Sequence, residues 1–230
     1  MGMLQAVFLD VGGPIYDDEN YVAAVLTALD ELRAADGRGA ADRATFRLLY
    51  DEVRAAQGGS LRSALAGEFL GDRARRAELH ERTREHWVHP AGTLYPDVLP
   101  FLRSLECRVR VGVLANQEER VVRALERDGV APFIDVWGVS AIVGFEKPSP
   151  ELFRWCLEQA GVEASGAVHI GNRLDTDVRP AAALGLATVW LLRGEAAPSP
   201  TPEQLSEPDL AVPTLDGLAP ELFSLMEARA

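Results

Sequence analysis

The stretch Ala6-Val7-Phe8-Leu9-Asp10-Val11-Gly12-Gly13-Pro14-Ile15 constrains this chain more than any other. A short apolar run without alternation fits a strand buried on both faces, as in the middle of a parallel sheet. One carboxylate at its end, followed by a Gly-Gly-Pro turn, delivers Asp10 to the rim of such a sheet. Alone, an Asp after a strand more often caps a turn than reacts. Its meaning depends on what the rest of the chain brings beside it.

From about residue 16 to 90 no strand-like run occurs and helical spacing takes over. Tyr21-Val22, Val25-Leu26, Leu29 and Leu32 recur on one helical face, then Phe46, Leu49-Tyr50 and Val53, then Leu61, Leu65 and Phe69-Leu70. Gly37, Gly39, Gly58-Gly59 and Gly71 separate them. A further helix, Asp72 to Trp87, alternates Arg73, Arg75, Arg76, Arg82 and Arg84 with Glu78, Glu81 and Glu85, the pattern of a solvated face. Residues 16–90 therefore read as an all-helical insertion.

The chain then alternates. A helix Val98 to Leu105 leads to a strand Val109 to Leu114 that opens on Ala115-Asn116, and a helix Glu118 to Asp128 leads to a strand Ile134 to Val139. After the loop Gly144 to Pro150, a helix from Glu151 precedes a strand Ala167 to Ile170 that opens on Gly171-Asn172-Arg173-Leu174-Asp175-Thr176-Asp177. A helix, a strand Ala187 to Leu192, a Pro- and Glu-rich loop, an edge segment from Asp209 and a last helix, Ala219 to Ala228, complete it. Such alternation predicts an α/β protein: a three-layer α/β/α Rossmann-like core with a parallel sheet, from residues 1–15 and 91–230, plus a small all-α domain of residues 16–90. Ligands of these sheets bind outside the carboxyl ends of the strands. Asp10, Ala115-Asn116, Lys147 and the 171–177 loop all fall at that edge.

Composition narrows the partners. Lys and Arg number 23 against 35 acids, a net charge of −12, so the field of the molecule repels nucleic acid and anionic membrane. A small anionic substrate would need a local group of donors. No run is long and apolar enough to span a bilayer, and the opening residues carry no basic segment or cleavage site, which makes a cytoplasmic location the expectation. Cys107 and Cys156 lack metal-ligand spacing and are expected to be buried small hydrophobes.

The order, spacing and context of these loops closely resemble the haloacid dehalogenase superfamily with a helical cap inserted after the first motif, over essentially the whole chain. The resemblance implies that Asp10 is the nucleophile, that Ala115 stands at the Ser or Thr position, that Lys147 in Lys-Pro-Ser-Pro is the lysine, and that Gly171-Asn172 and Asp177 form the last motif. A carboxylate held in line beside a lysine can attack phosphorus or carbon and divide one hard step into two. Backbone N–H groups of Gly12, Gly13, Ala115 and Asn116, with Lys147, would hold the phosphoryl oxygens. Asp10, the Gly12 carbonyl, Asn172 and Asp177 would hold Mg²⁺.

Three positions depart from the family pattern. Gly12 stands where phosphatases of the family carry a second Asp as general acid and base, a function worth roughly 10²–10⁴ in rate. That implies a slow enzyme, a good leaving group, or a proton donor from elsewhere such as the cap. Ala115 lacks a hydroxyl, and Asn172 lacks the charge of the usual Asp, so Mg²⁺ binding is expected to be weak or absent. The leading reading is a Mg²⁺-dependent phosphatase of a small phosphorylated metabolite. A metal-independent carbon–halogen hydrolase, which Asn172 and Asp175 would suit, with Arg47, Arg54 or Arg62 binding a carboxylate, is the second. A binding or regulatory protein on the same fold is the third. His169 is expected to be a packed core residue.

Overall fold

The computed structural model describes residues 3–229. Six parallel strands form one sheet in the order β3-β2-β1-β4-β5-β6, with β1 Ala6–Leu9, β2 Arg110–Ala115, β3 Val136–Val139, β4 Ala167–Gly171, β5 Ala187–Leu191 and β6 Leu210–Val212. β1 lies between β2 and β4, with Leu9 paired to Val113 on one side and Ile170 on the other. The chain runs outward from β1 on one side and returns to build the other, so the strand order reverses at β1. That reversal opens a crevice at its carboxyl end.

All four residues of β1 are buried, and they alternate between two apolar clusters. Val7 and Leu9 pack with α5 Val98–Leu105, α6 Val121–Arg127 and α11 Leu218–Ala228. Ala6 and Phe8 face α8 Pro150–Ala160 and α9 Arg179–Ala183 on the opposite side. Two short helices, α7 Ser140–Val143 and α10 Pro202–Leu205, lie in the connections. The sheet is thus sandwiched, as an unalternating apolar strand requires. α8 approaches so closely that a Cβ on Gly138 would strike the Cys156 sulfur and come within 2.8 Å of the Val113 carbonyl oxygen.

Between β1 and α5 stand the helices α1 Glu19–Ala35, α2 Arg43–Ala56, α3 Leu61–Leu65 and α4 Arg76–His86. Val22, Val25, Leu29, Phe46, Leu65 and Leu79 close a cluster of their own. The Asp42 carboxylate accepts the Thr45 N–H at 2.8 Å, which starts α2, and Gln57 in the left-handed region ends it. The arginines of α4 and its lead-in turn form surface ion pairs: Arg75 with Asp36 and Glu78, Arg82 with Glu31 and Glu85, and Arg84 with Glu81 and Glu118.

Local differences from the sequence reading are few. The helix expected from Asp72 begins at Arg76, because the Asp72 side chain accepts the Ala74 N–H and closes a tighter turn first. The strand expected from Ile134 begins at Val136. Cys156 is buried as expected, but Cys107 is exposed, since it lies in a turn with positive φ between α5 and β2. Among the described residues, no helix is long and apolar enough to cross a membrane.

Candidate active site

Asp10 leaves β1 with its N–H donated to the Ile170 carbonyl at 2.9 Å, so β4 fixes where the carboxylate emerges. The turn beyond is pinned by Arg193. Its guanidinium stacks 3.9 Å from the Tyr95 ring, pairs with Asp97 at 2.6 Å, and donates to the carbonyls of Gly13 and Pro14 at 2.8 and 2.6 Å. Two directional contacts on two successive carbonyls hold a turn that Gly and Pro alone would only permit.

Lys147 is buried and reaches two carboxylates, Asp10 Oδ1 at 2.9 Å and Asp177 Oδ1 at 2.6 Å. Asp177 is fully buried and accepts further from His169 Nε2 at 3.2 Å and, through Oδ2, from the Arg173 N–H at 3.0 Å. Burial works against its charge, yet Lys147 and His169 hold the carboxyl of Asp177 well below the usual range. Burial likewise disfavours the Lys147 ammonium, but Asp10 and Asp177 keep it protonated, with its pKa raised. Asp10 is pushed up to about 6, first by burial and then by the charge of Asp177, against the opposing pull of Lys147. His169, buried as expected, joins this chain instead of packing only against apolar neighbours.

Lys147 is itself held by Asn116. The Asn116 Oδ1 accepts the Lys147 N–H at 2.7 Å while its Nδ2 donates to the Lys147 carbonyl at 2.9 Å. This two-way clasp ties the end of β2 to the lysine loop, so the Asn116 side chain orients the lysine.

The remaining sequence-derived residues divide. Asp10, Gly12, Asn116, Lys147 and Asn172 line one cavity of about 370 Å³, together with Tyr21, Arg62, Trp87 and Arg173. The Gly13 N–H is taken by the Tyr16 carbonyl at 2.8 Å, which withdraws it as a phosphate donor. Ala115 is fully buried in the apolar cluster against Val139, outside the cavity lining. Asp175 pairs with Arg173 at 2.8 Å. Of the arginines considered for a carboxylate, only Arg62 lines the cavity, where it contacts His80 Nδ1 at 2.5 Å; Arg47 pairs with Glu19 and Arg54 with Asp51.

Of the four residues expected to hold Mg²⁺, Asn172 and Asp177 are engaged elsewhere. Both oxygens of Asp177 are taken by Lys147, His169 and the Arg173 N–H. Asn172 directs its NH₂ at two acceptors, Asp18 Oδ2 at 3.0 Å and the Arg193 carbonyl at 3.3 Å. A hard divalent cation wants several oxygen donors with charge among them, and Asp10 is the one charged oxygen of the set that remains open to the cavity. Among the described residues, no group of three His, Cys, Asp or Glu side chains is arranged to hold a metal ion.

Sequence reasoning missed Asp18 and Glu195, which also line the cavity. Asp18 is buried, and burial, with the charges of Glu195 and Asp10, raises its pKa well above the usual carboxylate value. Asp17-Asp18-Glu19 reads as an ordinary acidic helix start, and nothing local separates Asp18 from its neighbours. Gln57 was missed too. It is fully buried between the helices and the sheet, donating to the Glu195 carbonyl and accepting from the Leu174 N–H, both at 2.9 Å.

The family model of haloacid dehalogenase-like hydrolases matches residues 4–185. Phosphoglycolate phosphatase of Rhodospirillum rubrum is 30% identical over 203 residues, covering 84% of this chain and 81% of that protein. Glyceraldehyde 3-phosphate phosphatase of Methanopyrus kandleri is 35% identical over 107 residues, so the match spans less than half of each, 44% of both. A solved structure described as a predicted phosphatase from Clostridium acetobutylicum superposes with a TM-score of 0.72 at 16% identity, covering 96% of this chain and 99% of that one, a likeness of fold. With an aspartate directly after β1, a lysine between two carboxylates and a family match over most of its length, the chain belongs to the haloacid dehalogenase-like hydrolases.

Proposed function

We propose that the chain is a phosphohydrolase of a small phosphorylated metabolite, working through an aspartyl-phosphate on Asp10, with residues 16–90 acting as its cap. The observation that carries this reading is Lys147 bridging Asp10 and Asp177 at the mouth of the sheet. Asp177 anchors the ammonium, and the ammonium steadies Asp10 and offsets the charge of an arriving phosphate. In the first step an oxygen of Asp10 attacks phosphorus as the bond to the leaving oxygen breaks. In the second, water attacks phosphorus, the bond to Asp10 breaks, and inorganic phosphate departs with the carboxylate restored. Gly12 and Asn116 both line the cavity, and their backbone N–H groups are the donors this reading assigns to phosphoryl oxygens.

The carbon–halogen reading relied on Asn172 with Asp175. Here Asp177 meets the lysine while Asp175 pairs with Arg173, which favours phosphoryl chemistry. A panel of phosphorylated metabolites and 2-halo acids tests the proposal. Phosphate release is expected, lost in Asp10→Asn and only weakly dependent on Mg²⁺. Halide release, or silence on both panels with tight binding of a metabolite, would overturn it.

A further inference from the structure

We propose that Asp18 is the general acid and base of this site, presented from the start of α1 into the space that a side chain at position 12 would fill. The inference rests on the phosphohydrolase reading above. A Cβ built on Gly12 would lie 2.6 Å from Asp18 Oδ1 and 3.7 Å from its carboxyl carbon. The glycine that removes a carboxylate from position 12 thus makes room for another, from a residue six positions on, beside the same cavity as Asp10.

The ordinary roles of an Asp at this place do not account for it. Asp18 stands at the N-cap of α1, yet its side chain makes no capping hydrogen bond; the neighbouring Asp17 does so instead, accepting the Glu19 N–H at 3.0 Å. No Lys, Arg or His among the described residues pairs with it. It is nevertheless 9% exposed, and a buried carboxyl with neither cation nor helix end to serve is costly unless it is used.

Its hydrogen bonds distinguish the two carboxyl oxygens. Oδ2 accepts from Asn172 Nδ2 and from the Glu195 N–H, each at 3.0 Å. Oδ2, with two donors on it, is the acceptor oxygen, so a proton carried by this carboxyl sits on Oδ1, the oxygen turned toward Gly12. Gly194, with φ of +61°, allows this packing, because a Cβ there would strike Asp18 Oδ2 and lie 2.8 Å from Asn172 Nδ2. Asn172 is then a positioning residue: an Asp at 172 could not donate to Asp18, whereas its amide can.

Each proton is accounted for. As Asp10 attacks phosphorus, the departing oxygen takes the proton from Asp18 Oδ1 and leaves as an alcohol. In the second step the Asp18 carboxylate takes a proton from the attacking water, phosphate is released, and the acid form of Asp18 returns.

Asp18→Asn tests this with two substrates, p-nitrophenyl phosphate, whose leaving group needs no proton, and glycerol phosphate, whose leaving group does. Loss of turnover of the alkyl ester by about 10²–10⁴ is expected. The aryl ester should instead give a stoichiometric burst of nitrophenolate followed by slow turnover, with phosphate trapped on Asp10 and visible by mass. Gly12→Asp combined with Asp18→Ser returns a carboxyl group to the same space and is expected to restore alkyl ester turnover above that of Asp18→Ser alone. Equal loss on both esters without a burst, or no loss on either, overturns the assignment while leaving the phosphohydrolase reading intact. Unmodified enzyme inactive on every phosphate ester overturns both.

Discussion

Two acidic side chains, Asp18 at the cavity and Asp177 beneath it, carry opposite consequences for stability. The folded pKa of Asp18 is raised, so between the unfolded carboxylate pKa of about 4 and the folded value the native state binds the extra proton. Stability attributable to this group is therefore greatest in acid and declines as pH rises. Asp18→Asn keeps the acceptor oxygen for Asn172 and Glu195 without an ionisable group. The variant is expected to melt above the parent protein at pH 7.5 and to lose that advantage near pH 4, as thermal unfolding at the two pH values will read. Asp177 has the opposite sign: its pKa is held down, so its contribution is present at neutral pH and fades as pH falls through the unfolded carboxylate range.

At the scale of elements, the strand ends did most to make the site readable. Asp10, Lys147 and the 171–177 loop were legible because each follows an apolar run or turn whose pattern dictates a position at the sheet edge, and the family resemblance then singled out Asp177. Asp18, Arg193 and Gln57 were not, since their partners lie across the chain: Asp18 meets Asn172, Arg193 reaches Gly13, and Gln57 meets Leu174. Spacing reports what a residue's own element does and is silent on what arrives from another. Asn116 was identified as a site residue but for its N–H, whereas its amide side chain clasps Lys147. Each of those two hydrogen bonds is worth about 0.5–1.5 kcal/mol. Asn116→Ala is expected to lower kcat roughly tenfold with KM nearly unchanged, because the lysine loop loses its orientation while the cavity keeps its shape. Steady-state kinetics on one phosphate ester checks this.

For the whole molecule, charge sets how substrate arrives. A net charge of −12 opposes the approach of a phosphate dianion, and Lys147 lies too deep and too neutralised to reverse that field at a distance. On the phosphohydrolase reading, screening therefore helps substrate arrive. With the Debye length falling from about 30 Å at 0.01 M salt to about 8 Å at 0.15 M, kcat/KM is expected to rise with ionic strength for a dianionic ester and to stay flat for an uncharged analogue in competition binding. A fall with salt would mean that local donors dominate the encounter.

The position of β1 also bears on how the chain acquires its shape. The first strand among the described residues is a central one, and its two neighbours, β2 and β4, begin at Arg110 and Ala167. An apolar segment must wait through the synthesis of more than a hundred residues before both its edges are covered, while the helices of the insertion can meet through contacts close in sequence. Pulse-labelled hydrogen exchange during refolding is expected to protect α1 and α4 before β1. Asp10 would then be among the last groups to reach its place, and incompletely folded chains would lack an assembled site.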